Sequence, residues 1–423
     1  MWLLAIHPSV ALGSESATDS RLSLAAALAK AQAESPRLSA LDQQVKADSA
    51  MMLVDEGYAN PRLSGQIEDF LGTGLARRLD STQVTVALSQ ELQLGGKPTA
   101  RYSVKRARRN ISRLQYRLVE HELKTAVATA FLNVLAEQER LKNAQNMSAL
   151  ARQTVMVVSY QVEAGKASPI EADKAVIAQS LRDLSLEESR ASLRVARQAL
   201  AEVCGQDAPF FEEVRGSLDQ VPELPALTAL RAHAERHPAL LLQKAKGELE
   251  RSLVTLDQAQ RVPDLTVSLG ARWINATHDR ALVAGLEMPL PVIDRQRGLV
   301  QAGRHLTIMS ERLLEFERLT HSQARTQGYQ RLVVAHRRAL MLRNQVSPKV
   351  RATYEAVREG YRIGRFGYLD LLDAQKALFD VEEQALNAVV AYHRTYIELS
   401  REAGSSLALP QFEAPRPAGG VSP

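Results

Sequence analysis

Between Thr99 and Ala164 the chain runs for 66 consecutive residues without a glycine or a proline, and it is rich there in Ala, Leu, Arg, Glu and Gln. This is the composition of one uninterrupted helix. At 1.5 Å of rise per residue such a helix is about 100 Å long. That exceeds the interior of any globular domain, so the helix must lie in a coiled-coil or tube-like bundle with several partners. A break follows at Gly165 to Pro169, and Ile170 to Cys204 is again free of both breakers. The two segments form a long helical hairpin.

With 423 residues, a large core is available and no disulfide or metal staple is needed. Cys204 is the only cysteine, which excludes an intramolecular disulfide, and its aliphatic setting marks it as a buried small residue. Lys and Arg number 53 against 48 Asp and Glu, an excess too mild to demand a nucleic-acid partner. Apolar runs reach about six residues, against roughly 20 for a membrane-spanning helix. At the N-terminus, MWLLAIHPSVALGSESA has an apolar stretch and small residues at Ser9, Ala11 and Gly13 but no basic start. Residues 1–20 therefore read as a clipped export leader, with an ordinary disordered cytoplasmic N-terminus as the alternative.

The plan is played twice. AESPRLSALDQQ at 33–44 matches AERHPALLLQKA at 234–245, so that Pro36 and Pro238 are 202 residues apart, and the same offset relates Pro61 to Pro263. Gly165, Ile170 and Ala175 match Gly364, Leu369 and Ala374 at an offset of 199. A near-constant offset across different landmarks argues for duplication. The expected divisions are a first repeat at 21–204, a linker at 205–226, a second repeat at 227–404 and a Pro/Gly-rich tail at 405–423.

Each half also holds two segments with a period of two. Val84, Val86, Leu88, Leu92 and Leu94 alternate with polar neighbours, as do Leu265, Val267, Leu269, Ala271 and Trp273. Leu282, Ala284, Leu286, Met288 and Leu290 repeat the pattern, while 62–71 is weaker because Asp69 falls on the apolar side. Two-faced strands of about ten residues suit a membrane barrel with a wet lumen, or a half-exposed soluble sheet. Four strands cannot close a barrel, so in the first case several chains must share one.

The order of helix, two strands and helical hairpin, repeated, resembles the outer membrane efflux protein (TolC) family. QELQLGGKPTAR at 90–101 is similar to the strand-to-helix passage of its heavy-metal-exporter branch, the CzcC-like and CusC-like proteins, and LEMPLPVIDRQRG at 286–298 to the equivalent passage in the second half. YQVEAGKASPIEADKA at 160–175 and GYRIGRFGYLDLLDAQKALFD at 360–380 resemble the two periplasmic hairpin tips. The resemblance implies a mainly α chain with a small β part. It implies a homotrimer whose twelve strands close one outer-membrane barrel and whose helices continue it as a periplasmic tunnel. The implied function is the passive exit duct of a tripartite efflux system for metal cations, with a periplasmic adaptor and a separate inner-membrane RND pump as partners.

The resemblance also implies roles for residues. Asp370 and Asp373 match acids that ring the periplasmic aperture; three apart on a helix, they share a face. The alternative is two helix N-terminal acids stabilised by the helix dipole. Tyr361 and Glu171 match links that hold neighbouring hairpins closed, while a family arginine of that network falls on Phe366, with Arg365 beside it. Closure then rests on Arg365 as a substitute or on apolar contact by Phe366. Gly165 and Gly364 match turns where the adaptor docks, and they double as helix C-caps. Relatives of the metal branch often carry an acylated N-terminal cysteine; here none precedes Cys204, so the chain is unacylated or its true N-terminus lies upstream of Met1.

The basic run Arg101, Lys105, Arg106, Arg108, Arg109 and Arg113 opens a helix directly after a strand, where a solvated face or anionic lipid headgroups of the outer membrane fit better than nucleic acid. His233 and His237 have metal-ligand spacing, but HAERH lacks the order of a zinc hydrolase and a third ligand is not apparent. A solvent-facing helix pair is the expectation. Pro348 should kink or break the helix that carries it. No phosphate loop, dinucleotide fingerprint, nucleophile elbow or paired cysteine occurs, so no cofactor or enzymatic role is expected. A drug-efflux or type I secretion duct of the same fold is one rival reading, and a soluble coiled-coil scaffold is another.

Overall fold

A computed structural model describes residues 21–54, 59–74, 77, 79–232, 234–290, 296–404, 410 and 412. The leader segment 1–20 and most of the tail lie outside the described residues. The elements are β1 (Arg21–Leu22), α1 (Leu24–Glu34), α2 (Pro36–Met51), β2 (Arg62–Glu68), β3 (Gln83–Leu92), α3 (Lys97–Glu163), α4 (Pro169–Val203), β4 (Glu213–Val214), α5 (Leu227–Ala232), α6 (Pro238–Gln260), β5 (Leu265–Ile274), β6 (Asp279–Glu287), α7 (Arg297–Met341), α8 (Ser347–Arg362) and α9 (Tyr368–Ala403). The chain is mainly helical with a small sheet, and the uninterrupted helix is present as the 67 residues of α3.

Prolines fix where helices start. Pro36, Pro169 and Pro238 each open a helix, behind caps Ser35, Ser168 and His237 that accept from the backbone N–H of Leu38, Ile170 and Ala239. A proline there loses only an N–H that has no helical partner. In the second half the long helix is interrupted. Residues 342–346 form a π-helical stretch directly before Ser347 and Pro348. A wider turn accommodates a residue that cannot donate to the preceding turn and whose ring would strike its carbonyl. The expected irregularity at Pro348 is therefore a π stretch.

The four longer strands form one antiparallel sheet in the order β2-β3-β5-β6. Its register puts Leu63, Leu88, Leu269 and Ala284 in one row and Gly65, Val86, Ala271 and Leu282 in the next, all on one face. Gln66, Thr85, Arg272 and Ala281 make a row on the other face. There Arg272 donates to Thr85 Oγ1 at 3.0 Å and to Gln83 Oε1 at 3.3 Å, and lies 3.7 Å from Glu68. The apolar face is bare: Leu282 is 85% and Leu63 76% exposed.

Two strand limits differ from expectation. β2 ends at Glu68, and Asp69 follows in a left-handed conformation with φ of 55°, so the apparent misfit of Asp69 lies past the strand. β6 is shifted toward the N-terminus and ends at Glu287, just before Met288 and Pro289, because a proline cannot continue the ladder. At the sheet's helical end Lys97, almost buried, pairs with Asp264 at 2.7 Å, and the other Asp264 oxygen accepts from the Leu94 backbone at 2.9 Å. This pair pins the start of α3 to the entry of β5.

Two apolar cores lie along the helices. The larger gathers Val127 to Ala136 of α3 with the last turns of α4, the C-terminal part of α7, the C-terminal half of α9 and the segment 205–226. That segment acts as a belt: β4 pairs with β1, Val214 N–H donates to Gln138, Ser217 N–H to the Phe412 carbonyl, and Tyr392 donates to the Pro222 carbonyl. Cys204 is fully buried here, its Sγ 3.7 Å from the Ala27 carbonyl, and burial raises its pKa. The smaller core, built on Val158, Ala175, Tyr354, Tyr361, Tyr368, Leu371 and Leu378, sits at the hairpin ends.

His393 is buried in the waist core against Phe412 and Tyr392, and burial holds its pKa down to about 4. A neutral buried imidazole means that the unfolded chain, with an ordinary histidine pKa, takes up a proton which the fold excludes. Its stabilising contribution is complete above pH 6.5 and is lost as pH falls toward 4. Thermal unfolding followed by circular dichroism should show a loss of roughly 2 kcal/mol per chain from this group between neutral pH and about pH 4.5. His393→Leu should flatten the profile by that amount, and an unchanged slope would rule out this residue as its source.

Candidate gate and docking end of the hairpins

The α3–α4 and α8–α9 hairpins turn on the same backbone device. Gly165 and Gly364 have φ of 68° and 76°. Lys166 N–H reaches the Gln161 carbonyl at 2.8 Å and Gly165 N–H the Val162 carbonyl at 2.9 Å; Arg365 to Gly360 and Gly364 to Tyr361 repeat the pair at 2.7 and 3.0 Å. These are the crossed bonds of a glycine helix stop, which satisfies carbonyls that the helix leaves open. Nothing lies within 4 Å of where a side chain would begin at either glycine. The glycines serve the backbone, and the surface beyond them is open.

The two hairpins are tied to each other near their ends. Tyr361, buried, donates to Glu171 Oε2 at 3.4 Å, and Gln161 donates to the Arg362 carbonyl at 3.2 Å. Burial, with the Glu171 carboxylate beside it, pushes the Tyr361 hydroxyl up to about 12. It therefore stays protonated, a donor at any physiological pH. Tyr368 packs edge-on against it at 6.4 Å, and deeper in, Gln375 donates to Thr154 at 3.2 Å.

The two acids differ in place. Asp370 is the third residue of α9 and its Oδ2 accepts from the Gly367 N–H at 2.9 Å, closing the helix start. Its geometry is that of an N-terminal acid on a helix dipole. Asp373, one turn later, is exposed and shares a groove with Lys174 and Lys376. Phe366 folds back over its own hairpin: a Cβ at Gly360 would lie 2.2 Å from its ring. Arg365 is exposed. Within one chain the structure thus brings Tyr361 and Glu171 together, has the exposed Asp370 cap its own helix and leaves Asp373 and Arg365 facing out.

A second constellation was not visible in the sequence. His237 is not half of a solvent-facing pair: it is 5% exposed and caps α6, while His233 lies outside the described residues. Its ring lies 4.1 Å from that of His321, and His321 Nδ1 is 3.0 Å from Glu402 Oε2. Burial holds His237 down to about 4, and hydrogen bonding to His321 holds Glu402 down to about 2. The three partners come from positions far apart in the chain, so no spacing rule could collect them.

A sheet with one bare apolar face, continued by helical hairpins with linked tips, defines a chain built to line a passage from a membrane into an aqueous space. The outer membrane efflux protein family model matches residues 27–206 and 229–405, and the chain belongs to that family of transport channels of the outer membrane. It is 30% identical over 384 residues to the cobalt-zinc-cadmium resistance protein CzcC of Cupriavidus metallidurans, covering 90% of each chain. It is 24% identical to the nickel and cobalt resistance protein CnrC of the same organism, covering 73% of each. A crystal structure of CusC superposes with a TM-score of 0.74 at 16% identity, over 90% of this chain and 92% of that one, a likeness of fold.

Because Asp370 closes the first turn of α9 and Asp373 does not, Asp370→Ala should cost about 1 kcal/mol of local stability. Hydrogen exchange at Gly367 to Leu371 should speed up several-fold in that variant and stay unchanged in Asp373→Ala. Equal effects of both variants would contradict the capping role.

Proposed function

We propose that the chain is the outer-membrane exit duct of a tripartite efflux system, passing heavy-metal divalent cations from a periplasmic adaptor and an inner-membrane RND pump to the outside. The single observation that carries this reading is the 30% identity to CzcC across nine-tenths of both chains, which spans sheet, hairpins and belt alike.

The homotrimer is supported by what one chain leaves unfinished. Among the described residues β2 and β6 are open edges and run antiparallel to each other, so β6 of one copy continues the alternation onto β2 of the next. Three copies make twelve strands and no edge remains. Apolar side chains on the helices also await cover, among them Ile177 and Leu184 of α4 and Phe316 and Leu319 of α7, each more than half exposed. The halves 21–204 and 227–404 are the two repeats in this reading, joined by 205–226.

At the tip, the link of Tyr361 to Glu171 holds the hairpins together in the closed duct. Three copies of Asp370 and Asp373 bring six carboxylates around the aperture, a field that draws cations. Phe366 adds apolar contact and Arg365 an outward charge, while the open surface at Gly165 and Gly364 receives the adaptor. The polar face around Arg272 lines the wet lumen, and the apolar face meets lipid.

Deleting the gene should sensitise the host to cobalt, zinc, cadmium or nickel, with no change toward a drug and detergent panel, and the intact gene should restore growth. Sensitivity to drugs alone would overturn the metal assignment. In planar bilayers, Asp373→Asn should lower cation over anion selectivity several-fold; an unchanged selectivity would remove Asp373 from the aperture.

A further inference from the structure

Four helices converge where the start of α6 meets the end of α9. His121 comes from α3, His237 precedes α6, His321 lies on α7 and Glu402 on the last turn of α9. The ligand atoms of His237, His321 and Glu402 all fall within 4.8 Å of one another. The His121 ring is 6.1 Å from that of His237. The group lies in a cleft of about 630 Å³ that is also lined by Thr125, Thr129 and Asn133. His321 and Glu402 keep 15% and 17% of their side chains exposed, so an ion reaches them without unfolding the wall.

The present contacts fix which tautomers the rings hold without an ion. Arg401 occupies Glu402 Oε1 at 2.9 Å, which leaves Oε2 turned toward His321 Nδ1. His237 Nδ1 accepts from the Ala239 N–H at 3.3 Å, so Nε2 carries its proton and points at the Arg401 carbonyl, 3.1 Å away. His121 Nε2 addresses the same carbonyl at 3.0 Å. Glu317 stands 3.7 Å from His321 Nε2, a second carboxylate that offsets the Arg401 charge. A cation seated between His237 Nε2, His321 Nδ1 and Glu402 Oε2 takes both rings as neutral imidazoles in their other tautomers: the His321 proton moves to Nε2, which faces Glu317, and the His237 proton moves to Nδ1, which gives up the Ala239 N–H.

We propose that His237, His321 and Glu402, with His121 at the rim, form a binding site for one borderline divalent transition-metal cation per chain. Two imidazole nitrogens and one carboxylate oxygen suit zinc, cobalt, nickel or copper(II). They do not suit calcium or magnesium, which take oxygen sets, or copper(I) and silver, which favour sulfur. The site is a resident one in the wall, where the ion would join α6, α7 and α9. It does not rest on the duct reading: a duct for any cargo could carry it, and its absence would leave that reading intact.

The test uses the purified full chain in detergent, stripped with a chelator and titrated with zinc(II) and, for its visible absorption, cobalt(II). The expected result is about one equivalent per chain. His321→Ala and Glu402→Gln should each weaken binding by roughly tenfold or more. His305→Ala, which removes an exposed histidine elsewhere on α7, should leave binding unchanged. Glu402→Gln keeps the size of the side chain and so reads the ligand role if His321→Ala fails to fold. Calcium and magnesium should not compete. Absence of saturable binding, or equal binding in the wild type and Glu402→Gln, would overturn the site.

Discussion

The edge of a β-sheet leaves a row of N–H and C=O groups without partners, and hydrocarbon offers none. The rest of this molecule is arranged around that constraint. The four longer strands come as two adjacent pairs, their apolar rows face one way, and both outer strands are left open. In the proposed trimer, copies of the chain close the sheet and meet along their whole length. The long helices supply that length, carrying exposed apolar residues from the sheet down to the hairpin tips.

Much of this was legible because the signals are local. A run without breakers gives a helix whatever it packs against, and prolines at the same offset marked corresponding helix starts at Pro36 and Pro238. Alternation placed the strands, while their ends depended on tertiary detail: Asp69 looked like a flaw in the pattern until the strand was seen to stop one residue earlier. The five-residue π stretch ahead of Pro348 is likewise a matter of how a helix absorbs a proline, which composition does not encode.

The tip was readable in part, since Tyr361 and Glu171 could be paired only through a family resemblance and proved to be hydrogen-bond partners within one chain. Whether that contact gates the tube is a property of the assembly. The histidine cluster was unreadable for a different reason. His237, His321 and Glu402 are separated by more than 80 positions each, and only the packing of α6, α7 and α9 collects them. A sequence pattern sees ligands that share a turn of helix; it does not see ligands that share a crossing point.

The two apolar cores on one set of helices have a mechanical consequence. Between them Ser148 donates to Asp183 at 2.5 Å, and within the smaller core Gln375 donates to Thr154 at 3.2 Å. Polar contacts re-form after sliding more readily than interlocked side chains do. The belt grips the helices near Ala136, and the tip at Glu163 lies about 40 Å further along α3. In the duct reading each hairpin would act as a lever with its fulcrum at the waist. A tilt of about 5° there would carry the tip through about 3.5 Å, between the helix shifts of about 1–2 Å and the one-turn steps of about 5.4 Å found in switching proteins. In the proposed trimer, so small a motion around the ring would change the width of the aperture while the sheet stays fixed.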